Sequence, residues 1–435
     1  MRPGSADGRQ APPSRQLRLD ALPPPDLAPR AARRPPAAEG PRLVAEKIAP
    51  IELAVSEEAP RRVNLLIPTI DLEHFFGGYI AKFNLAHRLA ARGVRVRLVT
   101  VDPVGPLPQG WQSRLESYSG LAGMFERVEL AYGRGSGPLE VSRTDAFVAT
   151  TWWTAHIAQA ALAELGAEGF LYLVQEYEPF TFPMGSYAAL AEQSYRFPHF
   201  ALFSTELLRG YFHAHSIGVY AGGAAAGDAS SAAFENAITA IAGPSAAELA
   251  ARQTRRLLFY ARPEPHAARN MFELGVLALQ QALEEGAFRQ GWELHGIGTV
   301  GTRGRIGLGA MGELELLPRS SQESYASLLS GHDVGLALMY TPHPSLVPIE
   351  MASAGMVAVT NTFENKTPDA LSAISANLIA GPPTIDGIAR ALVRAADAAG
   401  NFERRAQGSE VRWSQDWSAS FGEDLLERLE AYLLR

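Results

Sequence analysis

The chain has 435 residues, of which 47% are hydrophobic, so it is long and apolar enough for two domains that each bury a core. Its formal net charge of −7 argues against nucleic acid as the main partner, because binding to a phosphate backbone needs a basic surface. The absence of cysteine excludes disulfides, thiolate metal ligands and cysteine nucleophiles, and it favours a reducing cytoplasm as the location.

Residues 1–58 are rich in Pro, Ala and Arg and carry no periodic apolar pattern. Such a segment cannot bury enough surface to offset the entropy of ordering, so we predict a disordered tail. It lacks the apolar stretch and small-residue cleavage site of a secretion signal. A peripheral contact of its arginines with an anionic membrane, which would place the protein at the inner membrane face, is the alternative to a solvated tail.

Residues 59–217 alternate short apolar runs with helical periodicity, which predicts a Rossmann-like domain with a parallel, doubly wound sheet. The predicted strands are 63–68, 94–101, 145–151, 170–174 and 200–204. Between the first strand and its helix lie Gly77 and Gly78, which would let the backbone come close to a phosphate or a sugar. Two further strands are followed by aromatic and acidic motifs, Thr-Trp-Trp-Thr-Ala-His at 151–156 and Gln-Glu-Tyr-Glu at 175–178.

Residues 218–254 begin with a run of Gly, Ala and Ser and are predicted to be a linker. The alternation restarts in 255–400, a second predicted Rossmann-like domain, with strands at 257–261, 292–296, 313–317, 333–338, 356–360 and 377–379. Two such domains form a cleft where the carboxyl ends of their strands face each other. Residues 401–435 are predicted to form a helix that either crosses back to the first domain or completes the second.

Two arginines, Arg262 and Arg269, lie in the loop that follows the predicted strand 257–261. Fixed cations at a strand end can neutralise the charge on a diphosphate without a metal ion. We therefore predict both as phosphate-binding residues, and we predict no metal site.

A helix is predicted to open near Ser345, after the strand 333–338. Ser345 can serve as its N-cap, and Pro348 falls in the first turn, where no intrahelical donor is lost. The free amides of that turn attract phosphate. The predicted nucleotide-binding residues here are His343, Ser345, Leu346, Val347 and Glu350.

The sequence Val-Pro-Ile-Glu-Met-Ala-Ser-Ala-Gly at 347–355 resembles the sugar-nucleotide site of family-4-like glycosyltransferases of the GT-B fold. In that group a Glu-x7-Glu pattern ends in a similar motif, and Glu350 matches its second Glu, which binds the nucleotide ribose. Pro342 stands where the pattern has its first Glu, which touches the donor sugar. Arg262 matches the Arg of the group's Gly-Arg-x-x-x-x-Lys-Gly loop, and Arg269 is a looser stand-in for its Lys.

The motifs at 75–79, 151–156 and 172–180 resemble the WsaF-type bacterial rhamnosyltransferases. The resemblance implies a GT-B fold, with two Rossmann-like domains facing each other across a cleft. It also implies transfer of L-rhamnose from dTDP-rhamnose, with retention of configuration, to a saccharide acceptor in surface-glycan synthesis. The nucleotide sugar would be a substrate, so no cofactor is predicted, and a lipid-linked acceptor is one option. No pattern in the sequence indicates an oligomeric state.

Under the rhamnosyltransferase interpretation, His156 and Glu176 are the candidate catalytic residues. Trp152 and Trp153 could stack on acceptor sugar rings, and Glu178 could orient the acceptor hydroxyl. Core packing is the alternative for the tryptophans, and a hydrogen-bonded loop role is the alternative for the others.

Two other functions stay open at this point. The missing first Glu makes a non-catalytic module that binds a sugar nucleotide or glycan plausible. A GT-B isomerase acting on a free nucleotide sugar would need an acid/base pair and no acceptor.

Overall fold

The computed structural model describes residues 39–72, 77–289, 291–298, 304–318 and 322–435, which form two α/β domains. The elements up to 234 are α1 Glu39–Ile48, β1 Leu53–Val55, β2 Val63–Ile67, α2 Gly77–Ala91, β3 Val96–Thr100, α3 Trp111–Glu116, β4 Glu129–Tyr132, β5 Leu139–Val141, β6 Ala146–Ala149, α4 Trp152–Leu165, β7 Phe170–Val174, α5 Ser186–Ser194, β8 His199–Ser204, α6 Glu206–Ala214, α7 Ala224–Ala229 and β9 Ser231–Phe234.

The remaining elements belong to the second domain and the terminal segment. They are α8 Ala246–Ala250, β10 Arg255–Tyr260, α9 Phe272–Glu284, β11 Trp292–Ile297, β12 Gly304–Gly307, β13 Glu313–Leu316, α10 Gln322–Ser330, β14 Val334–Leu336, α11 Leu346–Ser353, β15 Val357–Asn361, α12 Pro368–Ile374, β16 Leu378–Gly381, α13 Ile385–Ala398, α14 Phe402–Gly408, α15 Trp417–Ser420 and α16 Glu423–Leu433.

The first domain is built on a parallel sheet of seven strands in the order β4-β3-β2-β6-β7-β8-β9. The strands β2, β3 and β7 are buried along their whole length, as expected for a parallel sheet covered by helices on both faces. The second domain has a seven-stranded sheet in the order β12-β13-β11-β10-β14-β15-β16, in which only β12 runs antiparallel to its neighbour. Both sheets therefore direct the carboxyl ends of their parallel strands to one edge.

The described part of the predicted tail, residues 39–58, is structured, so this part of the prediction is wrong. It forms α1 and β1, and β1 pairs in parallel with β5 as a separate two-stranded sheet. Ile51 is buried, and the Lys47 ammonium lies 2.6 Å from an Asp102 carboxylate oxygen. These contacts supply the packing that the composition of the segment did not indicate. The rest of the predicted tail lies outside the described residues.

The predicted linker also begins too early, because β9 is the last strand of the first sheet. Part of the run of small residues that suggested a flexible connection forms the helix α7, although most of these residues are exposed. Gly227 lies against the ring of Tyr220, where a Cβ would come within 2.1 Å of a ring carbon. The connection between the two sheets therefore starts after Phe234.

The terminal segment consists of three helices, α14, α15 and α16, and the last of them packs on α2 and β7 of the first domain. Leu426, Leu429 and Leu433 of α16 are buried in the core of that domain. Arg92, which directly follows α2, forms ion pairs with Glu423 and Glu430 of α16. The helix α16 therefore lies on the first domain.

None of the described helices has the length and apolarity that crossing a bilayer requires.

Candidate functional site

The carboxyl edges of the two sheets approach each other where α2 and α11 begin. A Cβ built on Gly77, the first residue of α2, would lie 3.1 Å from Cδ1 of Leu346, the first residue of α11. Gln175, which follows β7, donates from Nε2 to the carbonyl oxygen of Gly78 at 2.9 Å. The two helix N-termini therefore meet across the cleft, and the absence of a side chain on Gly77 allows their close approach.

The 339–345 loop delivers the chain to the N-terminus of α11. Ser345 is the N-cap residue, as predicted, but its side chain makes no cap hydrogen bond, so this part of the prediction is wrong. The reason is its backbone conformation, because Ser345 has a φ of 66° and its N–H donates to Nδ1 of His343 at 3.0 Å. The first amides of α11 have no intrahelical partner and point toward the cleft side of the helix start.

His343 belongs to this loop, and the residue is buried, with 6% of its surface exposed. Burial, with Lys366 and Arg269 nearby, lowers its pKa to about 3, so the imidazole is neutral. Because Nδ1 accepts from Ser345, the ring proton is on Nε2, which lies 3.4 Å from Oγ of Ser204 in the first domain. Both ring nitrogens are thus engaged by protein groups, and His343 shapes the loop and does not face a ligand.

Arg262 and Arg269 have different surroundings. Arg262 donates to the Glu264 carboxylate at 2.9 Å and to the Tyr260 hydroxyl at 3.1 Å, and it lies 3.1 Å from Nε2 of His266. Nε of Arg269 is buried and has no hydrogen-bond partner in the described part of the chain. Nε of Arg269 is therefore a donor without a partner among the described residues, whereas Nε of Arg262 is engaged by Glu264.

The Glu350 carboxylate is held by three hydrogen bonds. Oε1 accepts from the Thr239 N–H at 3.1 Å and from its hydroxyl at 2.9 Å, and Oε2 accepts from the Tyr325 hydroxyl at 3.0 Å. Burial raises the pKa of Glu350, while these donors oppose the shift. The orientation of Glu350 is fixed before any ligand binds, and Oε2 retains a lone pair for a further donor.

Glu176 follows β7 and faces the second domain. Burial raises the pKa of Glu176, and the charges of Arg269 and Lys366 lower it. Among the described contacts, neither cation forms a direct ion pair with this carboxylate. The three charges therefore lie near one another at the junction of the two domains without direct pairing.

The sequence interpretation missed Lys366, which is 0% exposed. Its Nζ donates to the carbonyl oxygens of Met339 at 2.6 Å and His343 at 3.4 Å. One signal was available in the sequence, since only three of the 39 Lys and Arg residues are lysines, namely Lys47, Lys82 and Lys366.

Glu178 turns into the first domain. Its Oε2 accepts from the backbone N–H of Trp152, at the start of α4, at 2.8 Å. Burial raises the pKa of Glu178 to about 7, against the effects of this hydrogen bond and of Lys82. The pKa of buried Lys82 falls to about 8. Glu178 and Lys82 thus form a partly compensated charge pair at the edge of the first sheet.

The two tryptophans differ in their surroundings. Trp152 is 1% exposed and lies edge-on to the rings of Phe182 and Tyr187, so its predicted stacking on a sugar ring is wrong for this conformation. The Lys47 ammonium lies 4.0 Å from the centroid of the Trp153 ring, which is partly exposed. The role of Trp153 in acceptor binding stays a prediction.

His156 packs between α4 and α5. Its Nε2 lies 3.1 Å from the carbonyl oxygen of Leu190, and its ring meets Phe197 edge-on at 4.9 Å. None of the contacts in the described ranges joins His156 to the second domain. Its predicted catalytic role is therefore not supported by its position.

The structure thus brings the two glycines, Arg269, Glu176 and the start of α11 together, while Trp152 and His156 pack within the first domain. The binding roles of Arg262 and Trp153 stay predictions. In the described part of the chain, no three His, Asp or Glu side chains converge in a way that could hold a metal ion.

Two family models match this chain. Residues 62–206 match the WsaF N-terminal domain, and residues 255–393 match the WsaF C-terminal domain. The chain belongs to the WsaF family. The predicted resemblance is confirmed, and the matched ranges contain the facing helix starts of α2 and α11 and the loops around them.

One relative of this WsaF-family chain has a name that refers to glycan synthesis. It is 29% identical over 352 residues to the O-antigen biosynthesis protein RfbC of Myxococcus xanthus. That match covers 77% of this chain and 24% of the relative, so the chain spans about a quarter of the length of that protein.

Solved structures share the fold of this WsaF-family chain. HepE of Anabaena, in complex with UDP and glucose, superposes with a TM-score of 0.55 at 12% identity, covering 86% of this chain and 99% of HepE. WaaG, a glycosyltransferase involved in lipopolysaccharide biosynthesis, gives a TM-score of 0.52 at 15% identity, covering 85% and 99%. The predicted GT-B fold is confirmed.

Proposed function

We propose that this protein is a glycosyltransferase that moves a hexose or deoxyhexose from a nucleotide sugar onto a saccharide acceptor in surface-glycan synthesis. The observation that carries the proposal is the cleft where the N-terminus of α11 and the unpartnered Nε of Arg269 lie opposite the glycine start of α2. A helix N-terminus and a fixed guanidinium are the groups that a diphosphate prefers. Membership of the WsaF family and the relatives named above support the same reading.

The donor we propose is dTDP-rhamnose, and the reaction is metal-independent with retention of configuration. In the transfer, the bond between the anomeric carbon and the diphosphate oxygen breaks, and a bond to the acceptor oxygen forms. The acceptor proton passes to the departing phosphate. Arg269 and the α11 amides stabilise the charge that grows on the diphosphate, and Glu350 binds the nucleotide sugar. Glu176 is the carboxylate nearest the reacting end, and Glu178 borders the acceptor side through α4.

A nucleotide panel tests the donor half of the proposal. A ligand that binds only the folded state raises the melting temperature, so we would compare dTDP, UDP, GDP, ADP and CDP by thermal shift. Selective stabilisation by dTDP is the expected result. Selective stabilisation by another nucleotide would replace the donor, and no response to any nucleotide would contradict the proposal.

An acceptor-dependence experiment tests the transfer half. The second candidate function is a module that binds a sugar nucleotide without catalysis, which is favoured by Pro342 in the place of the first Glu of the pattern. A transferase releases nucleoside diphosphate from the donor faster when acceptor saccharide is present. Binding of the donor with no release under any acceptor would establish the module instead.

A further inference from the structure

The 363–366 turn, which follows β15, leaves its own sheet and docks on the first domain. Asn365 donates from Nδ2 to the carbonyl oxygen of Leu207 in α6 at 2.6 Å. The ring of Phe363 packs against Phe180, with centroids 5.8 Å apart. The position of this turn is therefore fixed by the first domain, although the turn belongs to the second.

Lys366 ends the turn and sends its side chain back into the second domain. Its Nζ donates to the carbonyl oxygens of Met339 and His343, which both belong to the 339–345 loop. That loop runs directly into the N-terminus of α11, where we place the diphosphate. Lys366 is thus the link between a contact made by the first domain and the backbone that faces the nucleotide.

Placing an ammonium in this interior position has a cost. Burial lowers the pKa of Lys366 to about 7, and Glu176 across the junction opposes that shift. A methionine would fill the same space without the desolvation of a charge. Almost every other cation of the chain is arginine, so a lysine at this position is unusual within the chain.

We infer that Lys366 is a positioning residue for glycosyl transfer, which couples docking of the first domain to the geometry of the 339–345 loop and so sets the α11 N-terminus for the diphosphate. This inference rests on the proposed function, because it assigns the α11 N-terminus to the nucleotide. The charged and titratable groups around Lys366 are Glu176 after β7, Arg269 before α9 and His343 in the loop itself.

The test compares nucleotide affinity by calorimetry in the wild type and in Lys366→Met, with dTDP as the first probe. The measured quantity is the ratio of the two Kd values at each pH, which cancels the titration of the nucleotide itself. We expect a ratio on the order of tenfold at about pH 6, where Lys366 is charged, and a smaller ratio at about pH 9, where the neutral amine still offers two N–H donors but no charge. Lys47→Met is the matched control, because Lys47 lies on α1, and its ratio stays near one at both pH values.

One further variant separates the effect of the charge from that of the side chain. Lys366→Arg keeps its charge at high pH, so we expect it to restore affinity at about pH 6 relative to Lys366→Met and to retain it at about pH 9. If Lys366→Met does not fold, the comparison of Lys366→Arg with the wild type across the same pH range serves instead. Unchanged affinity in Lys366→Met, or a loss that is the same at both pH values, overturns the positioning role while the proposed function stands. Failure of the wild type to bind any nucleoside diphosphate overturns both.

Discussion

At the scale of single residues, the two loop arginines show how neighbouring groups decide what a cation can do. The guanidinium of Arg262 is bonded to Glu264 and Tyr260, whereas Nε of Arg269 is buried without a partner among the described residues. A buried donor without a partner lowers the cost of binding an anion, since no internal bond must break first. The sequence pattern matched Arg262 better, yet the structure favours Arg269.

We expect Arg269→Ala to weaken nucleoside diphosphate binding by on the order of 1.5–3 kcal/mol, the size of a lost charge-assisted hydrogen bond. Arg262→Ala is the matched variant, and we expect it to cost less than about 1 kcal/mol because its ion pair is internal. Isothermal titration calorimetry measures both. A larger loss for Arg262→Ala than for Arg269→Ala would reverse this assignment.

The second prediction at this scale concerns Glu178, whose pKa is raised to about 7 by burial. The folded state holds this proton more tightly than the unfolded state, so the free energy of unfolding falls as pH rises from about 4.5 to about 7. Glu178→Gln has no such titration. The melting temperature of Glu178→Gln minus that of the wild type should therefore increase as the pH is raised from about 5 to about 8. Thermal melts of Glu57→Gln, at an exposed position, provide the control, and a flat difference for Glu178→Gln would contradict the burial argument.

At the scale of elements, the start of α11 differs from an ordinary capped helix. Ser345 sits at positive φ and uses its backbone N–H to hold His343, while its hydroxyl makes no cap bond. In contrast, Thr384 at the start of α13 accepts from the Gly387 N–H at 3.0 Å. Backbone strain of this kind is common at sites that bind ligands.

We therefore expect Ser345→Ala to leave the free energy of unfolding nearly unchanged, within about 0.5 kcal/mol. Thr384→Ala should lower it by about 1 kcal/mol, because a real cap is lost. Urea denaturation of the two variants checks both values. A loss at Ser345 equal to that at Thr384 would mean that the Ser345 hydroxyl does stabilise the helix.

The elements that the sequence predicted well are strands that are buried on both faces of the sheet. Strands such as β2 and β7 are continuous apolar runs, and this pattern predicts buried parallel strands directly. In contrast, β9 is short and built from small residues, and its place in the sheet depends on the neighbouring strand β8.

The direction of the Trp152 ring could not be predicted either, because it depends on Phe182 and Tyr187 from a later loop and helix. The buried position of Lys366 could not be predicted for the same reason, because both of its carbonyl partners are distant in sequence.

At the scale of the whole molecule, the two domains are joined by more than the chain between them. The 363–366 turn lies on α6, His343 meets Ser204 across the junction, and α16 returns to α2. These contacts fix the position of one domain relative to the other at the cleft, so the proposed diphosphate site depends on both domains.

We expect Leu429→Ala, in the buried face of α16, to lower the free energy of unfolding by about 2–5 kcal/mol, because it leaves a cavity in the core of the first domain. Leu434→Ala, at an exposed position just beyond α16, is the control and should change little. Chemical denaturation followed by tryptophan fluorescence measures the difference. Equal, small effects would show that α16 does not stabilise the first domain.

The central claim is that the facing starts of α2 and α11 form a nucleotide-sugar site, and a crystal structure of the complex with dTDP tests it most directly. We predict the diphosphate against the first amides of α11, within hydrogen-bond distance of Arg269 and opposite Gly77. We also predict the nucleoside on the side of Glu350. A nucleotide bound elsewhere, with this cleft empty, would contradict the account.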